Sequence, residues 1–178
     1  MADNVDHLLQ DGGPEDRVIV WAHNGHVTRN SHGLFAPDVM TMGKYLVERH
    51  GDRYLAVGFT FGAGSFQAIV DADEDTARLE EIDVGTPRAG SLNRIFMDAA
   101  EGPGFLLDTR GQTGELASWL LREQRTRETG AVFASETEMY AQVLPAAQYD
   151  VLAFVRDTTR SRPTATGHRP RRGPVDCG

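Results

Sequence analysis

The sequence predicts an α/β domain with a mainly parallel sheet flanked by helices. Short, continuously apolar segments of the kind found in buried strands alternate with segments whose apolar residues recur at helical spacing. The length of 178 residues suits one ordinary domain. Fractions of 40% hydrophobic and 25% charged residues are typical of folded globular proteins.

The first third of the chain is predicted to contain two helices and one strand. Apolar residues at helical spacing predict a short amphipathic helix over residues 2–10 and a second helix over residues 38–50. Between them, residues 18–22 (Val-Ile-Val-Trp-Ala) are continuously apolar and rich in β-branched side chains. This pattern predicts a strand that is buried on both faces of a parallel sheet.

The rest of the chain is predicted to continue the alternation. Strands at 54–59 and 66–70 are expected on either side of a hairpin turn at residues 62–64, followed by an edge strand at 79–84. The later elements are a helix capped by Ser91, a strand at 105–108, a helix at 116–120, a strand at 131–133, a helix at 136–143 and a strand at 151–155. Charged residues between 115 and 127 are expected to form a solvated helix face.

Composition excludes several classes of partner. A formal net charge of -8 argues against binding to a phosphate backbone, so we expect no nucleic-acid partner. No apolar run approaches the roughly 18 residues of a membrane span, and the first ten residues are too polar for a signal peptide. A single cysteine, Cys177, cannot form an intramolecular disulfide. We therefore expect no membrane partner and a cytoplasmic location.

The composition changes near the C-terminus. Arginine, proline, threonine and glycine dominate there, and the apolar residues that a core requires are nearly absent. The sequence therefore predicts a folded part over residues 1–157 and a disordered basic tail over residues 158–178.

A candidate site follows the predicted strand at 18–22. His23, Asn24 and His26 come directly after it, with Gly25 permitting a tight backbone path. In a parallel sheet the ends of the strands are where functional groups gather. Two imidazoles can bind, donate or accept protons near neutral pH, and the Asn24 amide can orient one ring or hold a developing oxyanion. His23 and His26 are therefore the candidate catalytic residues, and Asn24 is a candidate substrate-binding residue.

Two other interpretations of this turn remain open. In the first, the histidines are satisfied loop residues and the glycine only permits the turn. In the second, His23, His26 and His32 bind a metal, although an H-x-x-H string without a helix, a cysteine or a nearby carboxylate is a weak zinc motif.

Two further motifs are assigned structural roles. The string Gly-Ala-Gly-Ser at 62–65 lacks the second glycine of a nucleophile elbow and the helix of a dinucleotide site, so Ser65 is not expected to be a nucleophile. Asp108 and Arg110 follow a predicted strand, where an ion pair is the expected arrangement and a role in the site is the alternative.

The order of several sequence blocks resembles the second half of the erythromycin esterase family. The blocks are VIVWAHNGHV, MGKYLVERHGDRYLAVGFTFGAGSF, FLLDTRG, GELASWL and YDVLAFVRDT, and they lie within residues 2–163. WAHN-x-H followed by MG-x-x-L is the more specific part of the pattern.

This resemblance implies an α/β core and hydrolysis of an ester, typically a macrolactone, by water. The reaction implied needs no covalent enzyme intermediate and no metal, so no cofactor is expected. In the family the two histidines of the WAHN-x-H block line the active-site cleft, and they correspond to His23 and His26. The expected partner is a small-molecule ester.

The resemblance also implies that part of the family's machinery is absent from this sequence. The family's general-base histidine and its acidic partners lie in an N-terminal half that no residue here matches. Residues 1–157 are therefore expected to be the C-terminal portion of a larger α/β domain, inactive alone and prone to self-association through an exposed sheet edge. The alternative functions are a non-catalytic module that binds a small molecule or a partner and, third, a metal-dependent hydrolase.

Overall fold

The computed structural model describes residues 1–13, 15–70 and 77–162. Its helices are α1 (Ala2–Asp11), α2 (Asn24–Val27), α3 (Met42–His50), α4 (Leu92–Ala99), α5 (Gly114–Leu120) and α6 (Pro145–Gln148), with a 3-10 turn at Gly51–Arg53. Its strands are β1 (Val57–Val70), β2 (Arg78–Val84), β3 (Gly104–Asp108), β4 (Gln124–Arg127), β5 (Tyr140–Val143) and β6 (Val151–Thr158).

The α/β class is confirmed, but the prediction of a mainly parallel sheet is wrong. Four strands form a sheet in the order β2-β1-β6-β3, in which β1 and β6 are parallel and both outer strands are antiparallel to their neighbours. The connection from Val70 to Arg78 is shorter than the roughly twelve residues that a parallel crossover needs, so β2 must return antiparallel. Strands β4 and β5 form a separate antiparallel pair.

The predicted strand at residues 18–22 is also wrong. This segment has no regular secondary structure, and Ile19 and Trp21 are 91% and 84% exposed. An apolar segment becomes a strand only where another strand offers it free backbone groups. The segment lies next to β1 through the ring contact of Trp21 with Phe59, but the backbone of Phe59 is bonded by the Asn24 side chain.

Two glycines predicted to form a hairpin turn lie instead inside a continuous strand. A Cβ atom on Gly62 would lie 2.4 Å from the Arg156 carbonyl oxygen, and one on Gly64 would lie 2.0 Å from that of Thr158. Gly64 also has a φ of +116°. These glycines allow the close approach of β6 rather than a reversal of the chain.

Two predictions in the second half of the chain are wrong as well. Residues 136–143, predicted as a helix, contain a turn followed by β5, whose residues pair with β4. Residues 131–133, predicted as a strand, make only an isolated bridge between Val132 and Ile69. Both segments are short, and a short apolar pattern does not distinguish the periodicity of a helix from that of a strand.

The core joins buried residues of α3, α4 and α5 to those of β6. An aromatic cluster of Phe96, Phe105, Trp119 and Phe154 has ring centroids 5.1 to 6.3 Å apart. Tilted and edge-to-face contacts of this kind add to the stabilisation from burial. The cluster fixes α4 and α5 against β3 and β6.

The end of β6 extends into the predicted basic tail. The strand ends at Thr158, the Arg160 N–H donates to Ser65 Oγ at 3.0 Å, and Ser161 Oγ donates to Gln67 Oε1 at 3.2 Å. Residues 163–178 of that predicted tail lie outside the described residues. Within the described ranges, none of the helices has the length and apolar character needed to cross a membrane.

Asp150 joins three parts of the fold. Its Oδ1 pairs with Arg29 Nη1, its Oδ2 accepts from the Ala56 N–H at 2.8 Å, and its carbonyl accepts from the Thr109 N–H at 2.9 Å. The Asp150 residue is 7% exposed. The loop after α2, the start of β1 and the end of β3 are thus held by one buried aspartate.

Asn93 on α4 connects the two sheets. Its side-chain amide donates to Thr60 Oγ1 at 2.6 Å on β1, and its Oδ1 accepts from the Arg127 N–H at 2.7 Å on β4. The residue is completely buried. A buried side chain with these partners fixes the end of β4 relative to β1.

We expect Asn93→Ala to lower the free energy of unfolding by about 2 kcal/mol, because it leaves the buried Arg127 N–H without this partner. Urea denaturation followed by circular dichroism measures the change. Asn4→Ala on the exposed face of α1 is the control and should change stability by no more than about 0.5 kcal/mol. Equal losses in both variants would contradict the role assigned to Asn93.

Candidate functional site

His23 is held at both of its ring nitrogens. It is the N-cap residue of α2, and its Nδ1 accepts from the Gly25 N–H at 3.1 Å. An acceptor at Nδ1 requires the proton of a neutral imidazole to be on Nε2. That nitrogen meets the Thr129 carbonyl oxygen just beyond β4. His23 therefore joins the turn to the end of β4 in one defined tautomer.

The Asn24 side chain takes the place of a partner strand. Its Nδ2 donates to the Phe59 carbonyl oxygen at 2.7 Å, and its Oδ1 accepts from the Phe59 N–H at 2.9 Å. Asn24 also lines a small pocket together with Glu128. The bonds to Phe59 position the turn against β1, and the substrate binding predicted for Asn24 stays a prediction.

His26 is exposed on the other end of the same short helix. Its ring lies edge-on to that of His23, with centroids 6.3 Å apart. In the part of the chain that the structure describes, neither ring nitrogen of His26 has a hydrogen-bond partner. Of the two predicted catalytic histidines, His26 is thus the one whose nitrogens are available to a bound molecule.

Close packing fixes the turn from beneath. A Cβ atom on Gly25 would lie 2.9 Å from the Phe35 ring, and one on Gly43 would lie 2.3 Å from the Val27 carbonyl oxygen. The same carbonyl accepts from the Tyr54 hydroxyl at 2.6 Å. Glycine at both positions lets α3 and the Phe35 ring approach α2, so the histidines sit on a rigid base.

A cleft of about 550 Å³ lies beyond the end of β4, next to the Thr129 carbonyl that His23 contacts, and its lining residues do not include His23, Asn24 or His26. This volume falls within the range typical of small-molecule sites. Its walls combine polar and apolar surface in nearly equal parts, and Glu128 and Glu138 are the acidic residues that line it. The apolar and aromatic lining residues are Leu34, Phe66, Val132, Phe133, Met139 and Tyr140.

Glu128 is a residue of this site that sequence reasoning missed. It follows β4 directly, and its N–H donates to the Met139 carbonyl oxygen at 2.8 Å. As a whole residue it is partly exposed, while burial of its carboxyl group raises its pKa to about 7 and the hydrogen bond from Asn24 opposes that rise. No sequence motif marks Glu128 as a site residue. The charged residues before it were predicted to form a solvated helix face, whereas residues 124–127 form β4.

Other candidate residues are placed elsewhere. His32 Nε2 pairs with Glu123 Oε1 at 2.7 Å. Among the described residues, no three His, Cys, Asp or Glu side chains converge as the ligands of a metal would, so the predicted set with His23, His26 and His32 is not assembled. Ser65 is buried, and its Oγ donates to Glu81 Oε1 at 2.8 Å, a structural arrangement.

Asp108 and Arg110 form a two-pronged surface ion pair. Arg110 Nε donates to Asp108 Oδ1 at 3.0 Å and Nη2 donates to Oδ2 at 2.7 Å. These hydrogen bonds lower the pKa of Asp108 to about 2. The structural interpretation of this pair is the one that the geometry supports.

The fold and the site together define a class of protein. It is a mixed α/β protein with a histidine-containing turn fixed against a strand edge and joined through Thr129 to the end of β4, where a cleft of small-molecule size opens. The chain belongs to the erythromycin esterase family, whose sequence model matches residues 1–158. The resemblance found in the sequence blocks is confirmed.

Solved structures show the same fold. A protein from Bacillus cereus is 23% identical, with a TM-score of 0.65 over 79% of this chain and 33% of its own. A succinoglycan biosynthesis protein is 21% identical, with a TM-score of 0.71 over 89% and 37%. A mutant of the erythromycin esterase EreC in its open conformation is 17% identical, with a TM-score of 0.61 over 88% and 35%. The chain spans about a third of the length of these proteins.

Proposed function

We propose that this chain provides the histidine-containing part of a hydrolase site that cleaves carboxylic esters of small molecules with activated water. Family membership supports the class of reaction. The observation on which the proposal depends is the exposed His26 ring, free at both nitrogens on a turn that His23 and Asn24 hold rigid. A rigidly placed imidazole with an accessible nitrogen is suited to general acid–base catalysis.

The proposal gives each residue of the turn a task. His26 accepts a proton from the water that attacks the ester carbonyl carbon. His23 and Asn24 hold His26 in place through Thr129 and Phe59, so their contribution is positional. The cleft at the end of β4 binds the rest of the substrate, and a macrolactone such as that named for the esterase EreC is the substrate we propose to test first. Because the chain covers 35% of that protein, the activity of the whole domain is part of the proposal.

A second candidate is a non-catalytic module that binds a small molecule in the same cleft. It is favoured by one observation: both ring nitrogens of His23 and the amide of Asn24 are already bonded within the protein. The two candidates agree on the ligand site and differ on whether a bond is broken there.

The test uses the 178-residue chain, an alkyl ester, a p-nitrophenyl ester and the macrolactone erythromycin. In contrast to the inactivity that the resemblance implies for this part of the family alone, we expect hydrolysis, because His26 is free to act as the base. Erythromycin should gain the mass of one water as its ring opens, and the other two esters should each be split into an acid and an alcohol or p-nitrophenol. A phosphonate that mimics the tetrahedral intermediate should shift the imidazole NMR signals of His26 and leave those of His32 unchanged. Phosphonate binding without hydrolysis would favour the binding module, and the absence of both would contradict both candidates.

A further inference from the structure

We propose that Glu128 is a second catalytic proton-transfer residue of this site, acting as the general acid for the leaving alcohol. The inference rests on the proposed ester hydrolysis and adds to it a residue from a different part of the chain. It is based on the position of Glu128 between the histidine turn and the cleft.

Glu128 lies where the end of β4 meets the turn. Glu128 lines the same small pocket as Asn24, whose amide bonds Phe59 on β1. The next residue, Thr129, offers its carbonyl oxygen to His23 Nε2. The turn and the end of β4 are thus held as one unit, although these residues are 106 positions apart in the chain.

Glu128 also borders two cavities. It lines the cleft of about 550 Å³ on one side. On the other it lines a small pocket that Asn24, Thr126 and Tyr149 share. The Tyr149 residue is 3% exposed. A molecule bound in the cleft therefore lies against Glu128, one of the two acidic residues that line it, the other being Glu138.

The surroundings of Glu128 favour its protonated form near neutral pH. Burial raises the pKa of Glu128 from 4.5 to about 7, and the hydrogen bond from Asn24 lowers it. The titratable groups that face it are Tyr149 in the small pocket, Glu138 across the cleft and His23 through Thr129. Because the folded-state pKa is raised, the contribution of Glu128 to stability is complete below pH 4.5 and is lost as the pH rises through about 7.

A protonated carboxyl group can donate a proton to the leaving alcohol, a role that no residue of the turn has in the proposed reaction. In the first step water forms a bond to the carbonyl carbon and gives one proton to His26. In the second step the bond between that carbon and the alkoxy oxygen breaks, and Glu128 gives its proton to the departing oxygen. Return of the proton from His26 to Glu128 through solvent restores the site. The net reaction is ester plus water to acid plus alcohol.

The test compares two esters that differ in their need for an acid. An alkyl alcohol leaves only when it is protonated, whereas p-nitrophenol leaves as an anion. We expect Glu128→Gln to lower kcat/KM for the alkyl ester by about 10² to 10⁴-fold and to change that for the p-nitrophenyl ester little. Glu115→Gln, at an exposed position of α5 that lines neither cavity, should slow neither ester.

An independent readout is the pH titration of glutamate carboxyl ¹³C signals in the unmodified chain. One signal, absent from Glu128→Gln, should have its midpoint at about 7. A midpoint near the ordinary value of about 4.3 would overturn the inference. So would equal slowing of both esters, which indicates a structural role, or no slowing of either. If the unmodified chain hydrolyses neither ester, the proposed function and this inference fail together. If it hydrolyses both, the proposed function stands, and the rates of Glu128→Gln alone decide whether Glu128 is the general acid.

Discussion

Replacing His26 by alanine is expected to lower kcat/KM for both alkyl and p-nitrophenyl esters by about 10² to 10⁴-fold. Both reactions need a group that accepts a proton from water, and loss of a positioned general base commonly costs this much. The ring of His26 is exposed, so its removal leaves the core unchanged. Steady-state kinetics on each ester measures the effect, and circular dichroism checks that the fold is retained.

His32→Ala is the matched control for this prediction. His32 is also an exposed histidine, but it pairs with Glu123 rather than projecting from the turn that His23 fixes. Its removal should leave kcat/KM within the error of the measurement. A rate that is unchanged in His26→Ala, or lowered equally in both variants, would show that His26 is not the base.

The second large effect is expected in stability. Asp150→Ala should lower the free energy of unfolding by about 3 kcal/mol, because it leaves the Arg29 guanidinium and the buried Ala56 N–H without their partner. Since Asp150 also fixes the loop that follows α2, the variant should lose esterase activity at temperatures where the unmodified chain keeps it. Urea unfolding monitored by tryptophan fluorescence measures the change.

Asp98→Ala provides the comparison for Asp150→Ala. Asp98 pairs with Arg94 on the surface of α4, at 2.8 Å, with side chains that are 60% and 39% exposed. Exposed pairs of this kind contribute about 0 to 1 kcal/mol. If Asp98→Ala were as destabilising as Asp150→Ala, burial would not be the reason for the effect.

The sequence predicted those elements whose form depends on their own residues. Helix α1, helix α4 with its Ser91 cap and strand β6 all have local patterns of spacing or capping, and each is present. It failed where the outcome depends on a partner. Residues 18–22 have the composition of a buried strand, but the adjacent edge of β1 at Phe59 is bonded by a side chain.

The candidate site could be predicted only in part for the same reason. His23, Asn24 and His26 are neighbours in sequence, so their shared turn was predictable. The hydrogen bonds that distinguish them depend on Phe59 and Thr129, which approach only in the folded chain. Glu128 also reaches the site only through folding. It follows β4, whose charged residues were predicted from the sequence to form a solvated helix face.

The amide of Asn24 has a consequence for association between molecules. It occupies the N–H and the carbonyl of Phe59, which are the groups that an incoming strand from another chain would need. Strand addition at this position must therefore expel Asn24 and with it the histidine turn. Edge-to-edge assembly and an intact site both need the N–H and the carbonyl of Phe59. Conditions that promote assembly should therefore lower the fraction of molecules with an intact histidine turn.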